Sequence, residues 1–405
     1  MAKMQVEYLS AIHCSAGLTN SYHYHHHVTR VNHFTISVYQ RGSPDGSGDK
    51  DSAKTKPTFY KFLVTTIDVI IKGKVQDAED EYGVDAEYVQ FDGDIQARLD
   101  DDDTAFLLNV TSKEIPIDND DDDDKPKTKF VQDGIKVSKS TFLQKLYDEQ
   151  QRTNTKFLAC VHGFQVEPHV WMSEIKKIQT SNPDAVPYTT IPVIWPSVGK
   201  AVGIIDLDRK YDKEQKIAAQ AGVALAAMTE SDGTSSTEDI SISLLCHSMG
   251  NRVLLMFAQM APEAKRFDHV FMVAADVWEE VFNERVITDT WCQPPWNYTN
   301  YFKDSGLRLC NMLKDNGKIH VVHYPKDIAL LSSHYWENRR NRLGRHGTAA
   351  QDKLGRLDRR VEDKLVDVDL SNDTVEVLKQ DTVLSHGYYG MPKLIDYYSS
   401  VLGGD

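Results

Sequence analysis

The sequence predicts an α/β protein with a mostly parallel central sheet, and two observations carry that expectation. From about residue 140 onward, apolar runs at 157–161, 191–195, 240–245, 270–274, 319–324 and 365–370 alternate with stretches of helical periodicity, the signature of βαβ units. One of these runs, Ile240-Ser-Ile-Ser-Leu-Leu, breaks at Cys246-His-Ser-Met-Gly250 and passes at once into the helical pattern of 251–260. Strand, sharp turn and helix follow one another directly there. A serine on such a turn sits in a strained backbone conformation with its hydroxyl projecting at the sheet edge, which makes Ser248 the candidate nucleophile.

Composition limits the alternatives. With 405 residues and 40% hydrophobic content, the chain is long enough for one large core or two modest ones. A formal charge of -14 and a pI near 5.5 argue against nucleic acid as a partner, because phosphate binding needs clustered Lys and Arg. The five cysteines, Cys14, Cys160, Cys246, Cys292 and Cys310, are scattered without paired spacing, which suggests a reducing compartment. No apolar run has signal-peptide or membrane-spanning length, so the expectation is a soluble cytoplasmic protein without stable membrane insertion. The sequence leaves the oligomeric state open.

In chain order, the cluster His23-Tyr-His-His-His27 lacks the spacing of a metal site and reads as a polar segment. Strands are expected at 34–39, 59–71 and 105–110, with a Gly/Ser/Asp/Lys loop at 41–56. The acidic runs 100–103 and 118–124 have neither the alternation nor the glycine of a calcium loop and read as solvated loops. The second run suggests a boundary between a β-rich region, residues 1–140, packed on or continuing the sheet, and a catalytic domain, residues 141–405. A helix at 140–150 places Phe142, Leu143, Leu146 and Tyr147 on one face. Further helices are expected at 171–179, 208–228 and 251–260, and a closing helix at 391–401.

Right-handed crossovers bring the C-terminal ends of all parallel strands to one rim, where the chemistry of open α/β sheets gathers. Two strands before Ser248, the run 157–161 leads into His162-Gly-Phe-Gln165. An oxyanion formed in acyl transfer needs two preorganised N–H donors, and the expected pair is Met249, next to the nucleophile, and Phe164, in this loop. A serine nucleophile also needs a base and an orienting acid, in the chain order Ser, Asp or Glu, His. Asp327 follows the run 319–324 and His386 follows the last strand, so both stand where the mechanism needs them. Asp276, after 270–274, is the alternative acid, and His334 and His346 are rival bases.

The ordered set His162-Gly-Phe164, Trp195-Pro-Ser197, Tyr211-Asp212, His247-Ser-Met-Gly-Asn251, Asp276 with Phe282, Asp327-x-Ala-Leu330 with Ser333, Arg342-Leu-Gly344, and His386 with Tyr388 resembles an esterase/lipase-like α/β-hydrolase family catalogued as a domain of unknown function (number nine hundred). The resemblance covers roughly 143–402. It implies an α/β-hydrolase fold and a Ser248, Asp327, His386 triad, and it implies no particular substrate. Gln165 stands where the family usually has Asn, and Cys246 where it has Ala or Gly.

Two rim stretches admit two readings each. The aromatic-dense stretch 277–302 reads either as a cap over the site or as packing over the sheet. The basic stretch 334–364, with Arg339, Arg340, Arg342, Arg345, Arg356, Arg359 and Arg360, reads as an anion-holding surface or, in preference, as a solvated helix balanced by neighbouring acids. The function expected is a serine hydrolase acting on carboxylic esters, a carboxylesterase- or lipase-like enzyme with a small-molecule substrate and no metal or organic cofactor. A thioesterase or amidase would use the same residues, and a silent hydrolase-like binding protein would keep only the fold.

Overall fold

The computed structural model describes residues 58–65, 105–116, 128–166, 168–180, 188–195, 197, 239–260, 266–283, 304–336, 341–380 and 384–404. It also describes residues 211, 214, 215, 218, 221, 222 and 225. The expectations for 34–39, the loop 41–56, the last part (66–71) of the strand at 59–71, the histidine cluster, both acidic runs, and 284–302 of the aromatic stretch lie outside these residues.

Among the described residues nine strands form one sheet: β1 (Thr58–Thr65), β2 (Ala105–Pro116), β3 (Thr128–Val137), β4 (Lys156–Val161), β5 (Tyr188–Ile194), β6 (Ile242–His247), β7 (Phe267–Val273), β8 (Leu313–His323) and β9 (Leu365–Asp369). Their order is β3-β2-β1-β5-β4-β6-β7-β8-β9. The β1–β2 and β2–β3 pairs are antiparallel, and every other pair is parallel. The N-terminal strands therefore continue the sheet, through the pairs Val64↔Val193 and Thr65↔Ile194. β3 was not expected. Its sequence, Thr-Lys-Phe-Val-Gln-Asp-Gly-Ile-Lys-Val, carries Asp133 and Gly134 mid-strand, which is tolerated at a sheet edge, where β3 stands among the described strands.

The central strands read as unbroken apolar runs because helices cover both faces of the sheet. Side chains alternate between the two sides: Phe157, Ala159 and Val161 of β4 join one core with Val270 and Met272 of β7, while Leu158 and Cys160 join the other with Phe271 and Val273. The first core is closed by α1 (Lys139–Thr153) through Phe142, Leu143 and Leu146, and by α3 (Gly250–Met260) through Val253, Leu254 and Phe257. Tyr211, Ala218, Ala221 and Leu225 also belong to it. They are helical, buried positions of the stretch 208–228 in which a helix was expected. The second core is closed by α2 (Pro168–Thr180) through Trp171, Met172 and Ile175, and by the C-terminal helix Pro392–Gly403 through Leu394, Ile395 and Tyr398.

From β4 the chain crosses to β5 on one side, and β6 pairs on the other side of β4. This change of side places the loop after β4 beside the turn after β6, at the C-terminal ends of the two strands, the place where ligands bind in open α/β sheets. Among the described residues no helix is long and apolar enough to cross a membrane.

Candidate active site

Ser248 follows β6 and adopts φ 53°, the left-handed region that costs a non-glycine residue energy. Surrounding bonds hold it there: its N–H donates to Val273 O at 3.0 Å, and its own carbonyl accepts from the Asn251 N–H at 3.0 Å and the Asp276 N–H at 3.2 Å. The loop after β4 presses against this turn. A methyl on Gly163 would meet Ser248 Cβ at 2.6 Å, and one on Gly250 would meet His162 O at 2.5 Å, so both positions need glycine for close approach.

The same loop carries Phe164 and Gln165. Gln165 takes φ 53°, a conformation that Asn adopts more readily than Gln, which gives a physical reason for asparagine at the equivalent family position. Glu214 anchors the loop, its Oε2 accepting from the Gln165 N–H at 3.2 Å and from Ser197 Oγ at 2.8 Å. The Phe164 ring meets Tyr211 edge to face, with centroids 5.4 Å apart. Among the described residues neither the Phe164 nor the Met249 N–H donates a hydrogen bond within the chain. His162, at the loop's root, is a structural group. Burial holds its imidazole down to about 4, Trp195 N–H donates to its Nε2 at 3.1 Å, and its Nδ1–H donates to Gly163 O at 3.0 Å.

The acid and base candidates sort by contact. His386 Nδ1 donates to Asp327 Oδ2 at 2.7 Å, and the other carboxylate oxygen accepts from the Leu330 N–H at 2.9 Å. Asp327 is fully buried; burial pushes its carboxyl above the usual range, and the His386 imidazole draws it partly back. The loop bearing His386 is fastened to the turn before Ser248, because His247 Nε2 donates to His386 O at 3.1 Å and the two rings lie 4.8 Å apart. Ser248 and His386 are 6% and 9% exposed, so both are buried, each with only a small part open to solvent.

Residues 137–402 match a family model described as alpha/beta hydrolase of unknown function (DUF900), well over half of the 405-residue chain. The chain belongs to this family. Among solved structures, this α/β hydrolase is similar to a lipase-esterase related protein from Clostridium acetobutylicum ATCC 824, at 11% identity over 62% of this chain and 93% of that chain, with a TM-score of 0.27. No curated protein matches it.

Asp276, the alternative acid, faces a different set of partners in the α/β hydrolase. Its Oδ2 accepts from Tyr211 OH at 2.5 Å, and its Oδ1 accepts from Ser333 Oγ at 2.5 Å and lies 3.2 Å from Arg342 Nε. Arg342 is itself fully buried, which differs from the solvated helix expected for the basic stretch: a guanidinium is retained inside because a carboxylate and the Ser333 carbonyl meet it. Other arginines of that stretch behave as expected on the surface, as Arg360 does in pairing with Asp358 at 2.5 Å. The Arg342-Leu-Gly344 turn docks on the end of β7, with Leu343 N donating to Val277 O and Gly344 N to Ala275 O, each at 2.9 Å. Of the aromatic stretch, Val277, Val281 and Phe282 pack into the core.

Sequence reasoning assigned no role to Asn251, Glu214, Ser197 or His247, all of which hold the site. Two signals existed: a carboxamide one turn beyond the serine, just ahead of the apolar run 253–258, and a Glu on the apolar face of the helix through Tyr211.

Proposed function

We propose that this α/β hydrolase is a serine hydrolase that cleaves carboxylic esters through an acyl-enzyme. The observation that carries the reading is the buried Asp327–His386 pair, bonded at 2.7 Å and tied through His247 to the strained turn that presents Ser248. With Nδ1–H committed to Asp327, Nε2 is the ring nitrogen left to act as base. It takes the Ser248 proton as Oγ attacks the ester carbonyl carbon. The carbonyl oxygen, now negative, lies against the Met249 and Phe164 N–H groups, and collapse expels the alcohol with the proton returned from His386. Water then repeats the sequence on the acyl-enzyme, releasing the acid. Asp327 keeps the imidazole in the correct tautomer and stabilises its charged form.

The buried Asp276, held by Tyr211, Ser333 and Arg342, favours a structural role for that carboxylate and supports Asp327 as the acid. A cytoplasmic site of action belongs to the same proposal, supported by the free thiols of Cys160, Cys246 and Cys310. A fluorophosphonate should label the intact protein at Ser248, and Ser248→Ala should abolish both labelling and turnover of short activated esters. Labelling that survives this substitution, or active wild-type protein that takes up no label, would overturn the assignment.

A further inference from the structure

The Met249 N–H belongs to the same peptide group as the Ser248 carbonyl. In a trans peptide the C=O and the following N–H point in opposite directions across a rigid plane, so whatever fixes the Ser248 oxygen also aims the Met249 donor. Three donors converge on that oxygen: the Asn251 N–H at 3.0 Å, Asn251 Nδ2 at 3.0 Å and the Asp276 N–H at 3.2 Å. Two of the three come from one residue. Asn251 is fully buried, and its Nδ2 also donates to Cys246 O at 2.9 Å, so the carboxamide spans the turn from the residue two before the serine to the serine itself. This is not helix capping. An N-capping side chain stands ahead of a helix and accepts from N–H groups of its first turn, whereas this one lies inside a helix that begins at Gly250 and donates to carbonyls that precede it.

We propose that Asn251 is a positioning residue for the ester hydrolysis proposed above: its carboxamide locks the Ser248–Met249 peptide plane and thereby points the Met249 N–H at the oxyanion. The inference rests on that reading of the site. A turn held at φ 53° relaxes when its ties are cut, and relaxation rotates this peptide plane. Donors on the carbonyl also polarise the amide, strengthening the N–H opposite.

The test compares Asn251→Leu, which keeps the shape without the donor, and Asn251→Ala with the wild type. The readouts are kcat and KM on a short activated ester, the inhibition constant of a trifluoromethyl ketone that forms a tetrahedral adduct on serine, and the melting temperature. Removing an oxyanion donor outright costs about 10²–10³-fold in kcat, so misaiming one is expected to cost about 10–100-fold. KM should stay within about twofold, and the inhibition constant should rise by the factor lost from kcat, because both report the same donor. Asn251→Ser, whose hydroxyl can still reach the Ser248 carbonyl, should recover part of the kcat lost in Asn251→Ala; it also serves if the leucine variant does not fold. A lowered melting temperature with kcat per labelled site and inhibition constant unchanged makes Asn251 merely structural and overturns the proposal. Absence of fluorophosphonate labelling at Ser248 in the wild type is a separate failure, that of the ester-hydrolase reading itself.

Discussion

Replacing Asp327 by Asn tests the acid assignment with the least disturbance of shape. The carboxylate faces His386 Nδ1–H at 2.7 Å on one oxygen and the Leu330 N–H at 2.9 Å on the other, with the Tyr388 hydroxyl also within hydrogen-bonding reach. A carboxylate can accept from all of them. A carboxamide has one oxygen, and when that oxygen serves Leu330 its NH₂ group is turned toward Nδ1. The imidazole then accepts at Nδ1 and carries its proton on Nε2, the nitrogen required to take the proton from Ser248. Loss of the correct tautomer at a Ser-His-Asp site lowers kcat by about 10⁴, or about 5.5 kcal/mol of transition-state stabilisation at 1.36 kcal/mol per decade. Steady-state hydrolysis of a short activated ester measures this directly, with a thermal melt to establish that the variant is folded. A folded Asp327→Asn protein within tenfold of wild-type kcat would refute the argument, and a larger loss in Asp276→Asn would move the acid one strand earlier.

Three further outcomes follow from the same contacts. Asp276→Asn removes the charge facing the buried Arg342 guanidinium and should destabilise the fold by about 3–5 kcal/mol, seen as a lowered melting temperature, while activity per labelled site falls less than in Asp327→Asn. Gly163→Ala drives a methyl to 2.6 Å from Ser248 Cβ, so both the melting temperature and the rate of fluorophosphonate labelling should fall, the first by an overpacking cost of about 1–3 kcal/mol. Acid should destabilise the protein through His320, stacked on Phe271 and bonded to Tyr397 OH and His269 Nδ1, where burial lowers the imidazole to about 3. Because the folded value lies below the unfolded 6.5, the unfolded chain binds the proton first, and stability is lost as pH falls below 6.5; at pH 5 the loss is about 2 kcal/mol, and His320→Phe should flatten the pH dependence of urea unfolding by that amount.

The parallel strands were legible because burial on both faces writes itself as continuous apolar sequence, and the elbow because its turn residues have no other use there. Boundaries slipped where the chemistry of a turn appears inside a strand. The strand at 240–245 extends to His247, since Cys246 and His247 still pair with Met272 and Val273 of β7. β8 begins at Leu313 and not at 319, because Asp315-Asn-Gly317 looks like a reversal but is taken up in a register shift between Phe267 and His269, with Gly317 against Asp268 O. Chain order alone nominated Asp327 and His386 and left Asp276 as a rival acid. In the proposed assignment the two acids are separated by partners of Asp276 such as Tyr211 and Arg342, which lie far away in sequence and meet only in the folded chain.

The contact between the loop after β4 and the turn after β6 has no slack, since neither Gly163 nor Gly250 has room for one added methyl. Two surfaces meeting so closely cannot slide past each other by the fraction of an ångström needed to retune a donor-to-oxygen distance. In the proposed reaction the Phe164 and Met249 donors therefore act as a fixed gauge, cut to one oxygen atom and indifferent to the rest of the molecule that carries it. Tolerance for larger or smaller substrates has to reside in side chains that do not bear on the gauge. Sequence change along the remaining rim can then redirect the proposed hydrolysis to new substrates, while 163 and 250 stay closed to anything but glycine.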